Sequence, residues 1–194
     1  MAETSAQRVL SFWFETLGAK QWFAKDEALD TLIEKRFESA WEAARRGELA
    51  AWRSTPEGRL AEILVLDQFS RNMYRDRPMA FAQDAVALVL AQEAVAQGAD
   101  RALTTRQRPF LYMPYMHSES LLVHEDALRL FDQPGLEENL RFEHRLLCSQ
   151  NSLTTSLPGA AGHQSIDEHF APIGRYNQRK RKLAVTELTV HQRF

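Results

Sequence analysis

Between Glu57 and Tyr74 the apolar residues fall on two opposite sides of a helical wheel, with Val65, Leu66, Phe69 and Met73 on one and Leu60, Ile63 and Leu64 on the other. A helix that is apolar on both sides has no broad face to offer water, so other helices must surround it. The fold class follows as all-α around a central helix. A chain of 194 residues buries roughly two-thirds of its unfolded surface, enough for such a core without staples or metals.

The flanking sequence supplies the surrounding helices. Thr4 or Ser5 can cap a first helix that places Val9, Leu10, Trp13, Phe14 and Leu17 on one side and stops at Gly18. From Asp26, Leu29, Leu32, Ile33, Phe37, Ala40, Trp41 and Ala44 recur at three-and-four spacing up to Gly47. Thr55, Pro56 and Glu57 read as N-cap, N1 and first-turn acid of the central helix. A fourth helix is expected from about Met79 to Gln97 on Phe81, Ala85, Leu88 and Val95, closed by Gly98. Pro109 and Pro114 predict a short helix or turn before a helix reaching Phe131, and a sixth spans Leu136 to Cys148. No run alternates with a period of two as a half-buried strand would. About six to eight helices result, suited to a stack of helical hairpins. Residues 1–148 form the helical core domain, and 149–194 a partly irregular C-terminal extension of it.

Charge and composition exclude several functions. A net charge of −2 gives no basic field for nucleic acid. The run from Gly174 to Lys182 is locally basic and reads as a solvated end of chain. The start lacks a basic n-region, and no stretch nears 18 uninterrupted apolar residues, so neither a signal peptide nor a membrane partner is expected. Cys148 is the only cysteine. It fits a reducing, cytoplasmic setting and an inert core position. There is no nucleophile elbow and no phosphate-cradling glycine loop.

The chemistry concentrates on the central helix. Asp67, Arg71 and Arg75 follow at i, i+4 and i+8 on the line that begins with Leu60 and Leu64. Charges entering an apolar face must be paired, because a stranded one costs several kcal/mol as a rough figure. Two readings stay open: a structural ion pair of Asp67 with Arg71 bridging to Asp84, or a ligand site. His117 and His124 are seven apart and share a face with Leu121 and Leu128 if the helix is continuous, with Glu119 pointing away. With no third ligand in register, neither a metal nor another cofactor is expected.

Three strings, VLSFWF at 9–14, GRLAEILVLDQFSRNMYRDRPMAFAQD at 58–84 and RPFLYMPYMHSES at 108–120, resemble a bacterial family catalogued as domain of unknown function 924. The resemblance covers about residues 7–145. It implies a fold similar to tetratricopeptide-like helical hairpins, and no established activity. Its characteristic polar positions fall on Asp67, Gln68, Arg71, Asn72, His117 and Glu119, with Ser70 where the family commonly has proline. The family's C-terminal histidine and arginine segment has only a degraded counterpart in His169, Ile173, Gly174, Arg175, Tyr176 and Arg179. Residues 149–165 resemble an insertion.

Three functions are therefore compatible with the sequence. One is a pocket of Asp67, Gln68, Arg71, Asn72, His117, Arg175 and Arg179 that takes a small polar or anionic molecule or a peptide carboxylate. Another is an enzyme with His117 as general acid or base, oriented by Glu119 or Asp67. The third is a protein-interaction scaffold in which the charges serve the fold. Oligomeric state is not encoded in any feature.

Overall fold

A computed structural model describes residues 5–152, with side chains described up to residue 147. Within them the chain is helical without strands: α1 (Ser5–Leu10), α2 (Ala19–Trp22), α3 (Glu27–Arg45), α4 (Pro56–Leu64), α5 (Ser70–Met73), α6 (Asp84–Ala96), α7 (Arg108–Met116), α8 (Leu121–Phe131) and α9 (Glu137–Ser152). Two π-turns extend this set, one following α1 over Ser11–Thr16 and one joining α4 to α5 over Val65–Phe69.

The helix starts follow the expected chemistry. The Asp26 carboxylate accepts from the backbone N–H of Ala28 and Leu29 at 2.9 and 3.1 Å, and Thr55 Oγ1 accepts from Gly58 at 3.1 Å. Leu29, Ile33, Phe37, Trp41 and Ala44 form the buried stripe of α3. Gly58 sits against the preceding turn so closely that a Cβ would lie 2.0 Å from the Trp52 carbonyl oxygen. Along α4 and the π-turn every residue from Leu64 through Phe69 is buried, so the central helix is enclosed on all sides. It meets α1, α3, α6 and α7. The tetratricopeptide likeness is accordingly loose, since a linear stack joins each repeat only to its neighbours.

Several boundaries differ from the sequence reading for physical reasons. The first helix ends before Gly18, which has an extended backbone and opens α2, its N–H donating to Gln21 Oε1 at 2.8 Å. The π-turn at 11–16 widens the helix so that the consecutive Phe12, Trp13 and Phe14 are all buried. The fourth helix is two pieces: a 3-10 turn at Pro78–Phe81, then α6. On α6 the buried face is Ala87, Ala91 and Ala94, while Ala85 is exposed and Leu88 and Val95 are only partly covered. Small side chains let α6 approach α4, the π-turn and α7 closely, which displaces the larger ones outward. Helix α9 runs past Cys148 to Ser152, no proline or glycine standing in its way.

The stretch Pro78–Ala96 has the length and mean hydropathy, 1.3, of a membrane-spanning segment. Within it, however, Asp84 pairs with Arg71 and Glu93 with Arg59, and the alanine face packs into the bundle. It is built as a layer of this fold.

Candidate functional site

The π-turn at Val65–Phe69 carries Asp67 and Gln68, and its geometry explains how they are held. A π-turn departs from the regular i to i−4 ladder, and here two of its carbonyls accept from side chains one turn on. Ser70 Oγ donates to the Leu66 oxygen at 2.6 Å, and Arg71 Nη1 to the Asp67 oxygen at 2.7 Å. Trp41 Nε1 in turn donates to Ser70 Oγ at 2.7 Å, tying the turn to α3. A proline at position 70 lacks the N–H that would serve the Leu66 carbonyl. Serine meets that carbonyl with its hydroxyl instead.

Asp67 is the hub. Its Oδ1 lies 2.8 Å from both Arg71 Nη1 and His117 Nδ1, and its Oδ2 accepts from Gln68 Nε2 at 2.6 Å. Arg71 Nη2 reaches Asp84 Oδ1 at 2.9 Å, so one guanidinium joins the central helix to α6. The Asp67 and His117 side chains are 1% and 3% exposed, whereas Arg71 and Asp84 are 14% and 11% exposed, so the cluster grades from core toward the surface. Burial alone pushes the Asp67 carboxyl upward. The Arg71 guanidinium and His117, helped by the hydrogen bonds from His117 and Gln68, outweigh that effect and hold the carboxyl down at about 2.

The residues singled out in the sequence thus divide. Asp67, Gln68, Arg71 and His117 converge, and Asp84 joins them as the bridging acid. Asn72 does not join them. Its Nδ2 donates to Asp30 Oδ1 at 2.8 Å, on α3, where Arg75 also grips Asp30 through Nε and Nη2 at 2.6 and 2.8 Å. One residue beyond Arg71 is about 100° around a helix, enough to turn Asn72 toward another neighbour. Glu119 is exposed in the connection after α7, and the orienting partner of His117 in this structure is Asp67. Arg175 and Arg179 lie outside the described residues, as do His169, Ile173 and the Cys148 side chain.

His117 and His124 do not share a helical face, because the helix breaks at 117–120 between α7 and α8. His124 instead meets Glu143 of α9, both wholly buried. Sequence reasoning missed Glu143, although the signal was there: it lies three residues from both Leu140 and Leu146, on the covered side of α9. Among the described residues no three His, Cys, Asp or Glu side chains gather as a metal ion requires.

The molecule is an all-helical protein whose polar residues form a buried histidine, carboxylate and guanidinium cluster on a distorted central helix. The sequence matches the family described as bacterial protein of unknown function (DUF924) over residues 9–187, and the chain belongs to that family. The match continues beyond residue 145, through the segment where the family's strings become degraded. A solved protein of unknown function from Agrobacterium tumefaciens is similar at 32% sequence identity and a TM-score of 0.66, over 77% of this chain and 81% of that one. No curated protein matches the chain.

Proposed function

We propose that this protein is a cytoplasmic binding protein for a small polar ligand, with His117 and Arg71 at the site and Asp67 as the group that fixes both. The supporting observation is the sharing of Asp67 Oδ1 by His117 Nδ1 and Arg71 Nη1, each at 2.8 Å. A carboxylate already engaged through both oxygens is a positioning group more than a ligand contact. It sets the ring tautomer, with Nδ1–H toward Asp67 and Nε2 as the basic nitrogen. Among the described residues of the cluster, one guanidinium faces two carboxylates. That balance suits a neutral polar molecule. An anion or a peptide carboxylate needs further positive charge, which Arg175 and Arg179 carry in the sequence.

The test is thermal stabilisation by a panel of small polar molecules, neutral and carboxylate-bearing, read on wild type and on His117→Gln and Arg71→Lys. A hit that raises the wild-type melting temperature and leaves both folded variants unmoved supports the reading. Stabilisation that survives in both places the ligand elsewhere. If both variants merely unfold, the cluster is a structural ion-pair network.

The same observation favours a second reading. A histidine oriented by an ionised carboxylate is the arrangement of a general base, with Asp67 holding the ring and stabilising its protonated form. Turnover of a hit that is lost in His117→Gln distinguishes this reading from binding alone.

A further inference from the structure

Away from Asp67, a second buried histidine faces a carboxylate. His124 of α8 and Glu143 of α9 are both wholly buried. His124 Nδ1 contacts Glu143 Oε1, and its Nε2 lies 2.9 Å from the carbonyl oxygen of Ser118. The Ser118 carbonyl can only accept, so Nε2 carries the hydrogen that donates to it, while Nδ1 shares a hydrogen bond with the Glu143 carboxyl group. Glu143 Oε2 is buried without a hydrogen bond. An apolar pair of similar volume fills such a space at no electrostatic cost, and replacing buried ion pairs in that way is often stabilising. What an apolar pair cannot do is aim a hydrogen bond.

The bond from His124 is aimed at the residue next to His117. Ser118 is the second residue of the four-residue connection between α7 and α8, directly after His117. Its N–H donates to the Tyr115 oxygen at 3.2 Å, and its Oγ accepts from Ser120 N–H at 3.1 Å. The Ser118 carbonyl belongs to the Ser118–Glu119 peptide, one beyond the His117–Ser118 peptide that the Ser118 N–H already ties to Tyr115, so the bond from His124 anchors the chain where it leaves His117. We infer that His124 and Glu143 are positioning residues for His117, setting its ring against Asp67 through the Ser118 carbonyl. Helices α8 and α9 thereby acquire a part in the site. This rests on His117 being the working side chain of the proposed site, and its test uses no ligand, so the two can fail separately.

The experiment is NMR of the full chain labelled with 15N-histidine, the His117 ring signals being those lost in His117→Gln. Glu143→Gln keeps the shape and replaces the carboxyl group, while His124→Leu combined with Glu143→Leu removes both polar groups. In either variant, with circular dichroism showing a folded chain, the His117 Nδ1–H resonance is expected to move. Its exchange with water is expected to speed about tenfold, as for a weakened hydrogen bond. A role confined to stability shifts the melting temperature and leaves those signals alone. His117 signals at wild-type position and exchange rate in a folded variant overturn the proposal. So does the failure of every variant to fold, which makes the pair a stabilising element only. Movement of the His117 signals without any ligand hit retains this inference and removes the functional reading.

Discussion

Replacing Asp67 with asparagine isolates the charge at the centre of the cluster, because the amide keeps the shape of the carboxylate. The carboxyl is held at about 2 against an ordinary 3.8, by Arg71 and His117 acting against its own burial. At about 1.4 kcal/mol for each unit, the ionised form contributes roughly 2 kcal/mol to folding. Asp67→Asn is therefore expected to lose about 2 to 3 kcal/mol at pH 7. The pH dependence has a defined sign. A depressed carboxyl stabilises the native state above its unfolded value and loses that contribution as pH falls toward the folded one. Here the window runs from about 3.8 down to about 2. By pH 3 about 1 kcal/mol is gone, so the gap between wild type and variant narrows by that amount. Urea denaturation at pH 7 and pH 3, followed by tryptophan fluorescence and circular dichroism, measures it. A variant as stable as wild type at pH 7, or a gap equal at both pH values, refutes an ionised Asp67 held by Arg71 and His117.

Other positions yield further expectations. Ala91→Leu forces volume into the wholly buried face of α6 and should cost about 1 to 3 kcal/mol, whereas Val89→Ser, on the exposed side, should stay within about 0.5 kcal/mol in the same denaturation assay. Gly58→Ala sets a Cβ 2.0 Å from the Trp52 carbonyl oxygen, a backbone atom that cannot rotate away. It should destabilise by about 2 kcal/mol or more in urea, with Thr55→Ala costing about 1. Burial pushes the Tyr112 phenol well above its ordinary value, reinforced by its bond to Asp100, and pushes Tyr115 to about 12. Absorbance titration should show both ionising late, and stability should fall as pH rises past about 10, where the unfolded chain releases those protons first.

The sequence reading reached the central helix because two-sided burial is written in Leu60, Ile63, Leu64, Val65, Leu66, Phe69 and Met73 themselves. Asp67 with Arg71 was legible from i, i+4 spacing on an apolar line, and Asp84 from its place one turn from Leu88. The π-turns were not legible. Nothing in Val-Leu-Asp-Gln-Phe demands a widened ladder, which arises from the packing of α3, α6 and the Trp41, Ser70 and Leu66 hydrogen bonds. On α6 hydrophobicity is a poor guide to burial, because close helix approach selects Ala87, Ala91 and Ala94 for the covered face. His124 was assigned to the face of His117 on the premise of one continuous helix. The break at 117–120 sends it to Glu143 instead. Asn72 was grouped with Arg71 by adjacency in the chain, and its bond to Asp30 depends on α3, more than forty residues upstream.

The central claim is that His117 and Arg71, fixed by Asp67, meet a small polar ligand beside the π-turn. A crystal structure of the full chain with the best stabilising molecule tests it most directly. The account predicts ligand density within hydrogen-bond distance of His117 Nε2 or the Arg71 guanidinium, with the His117 to Asp67 bond retained. Density at a different surface, with the cluster closed upon itself, contradicts it.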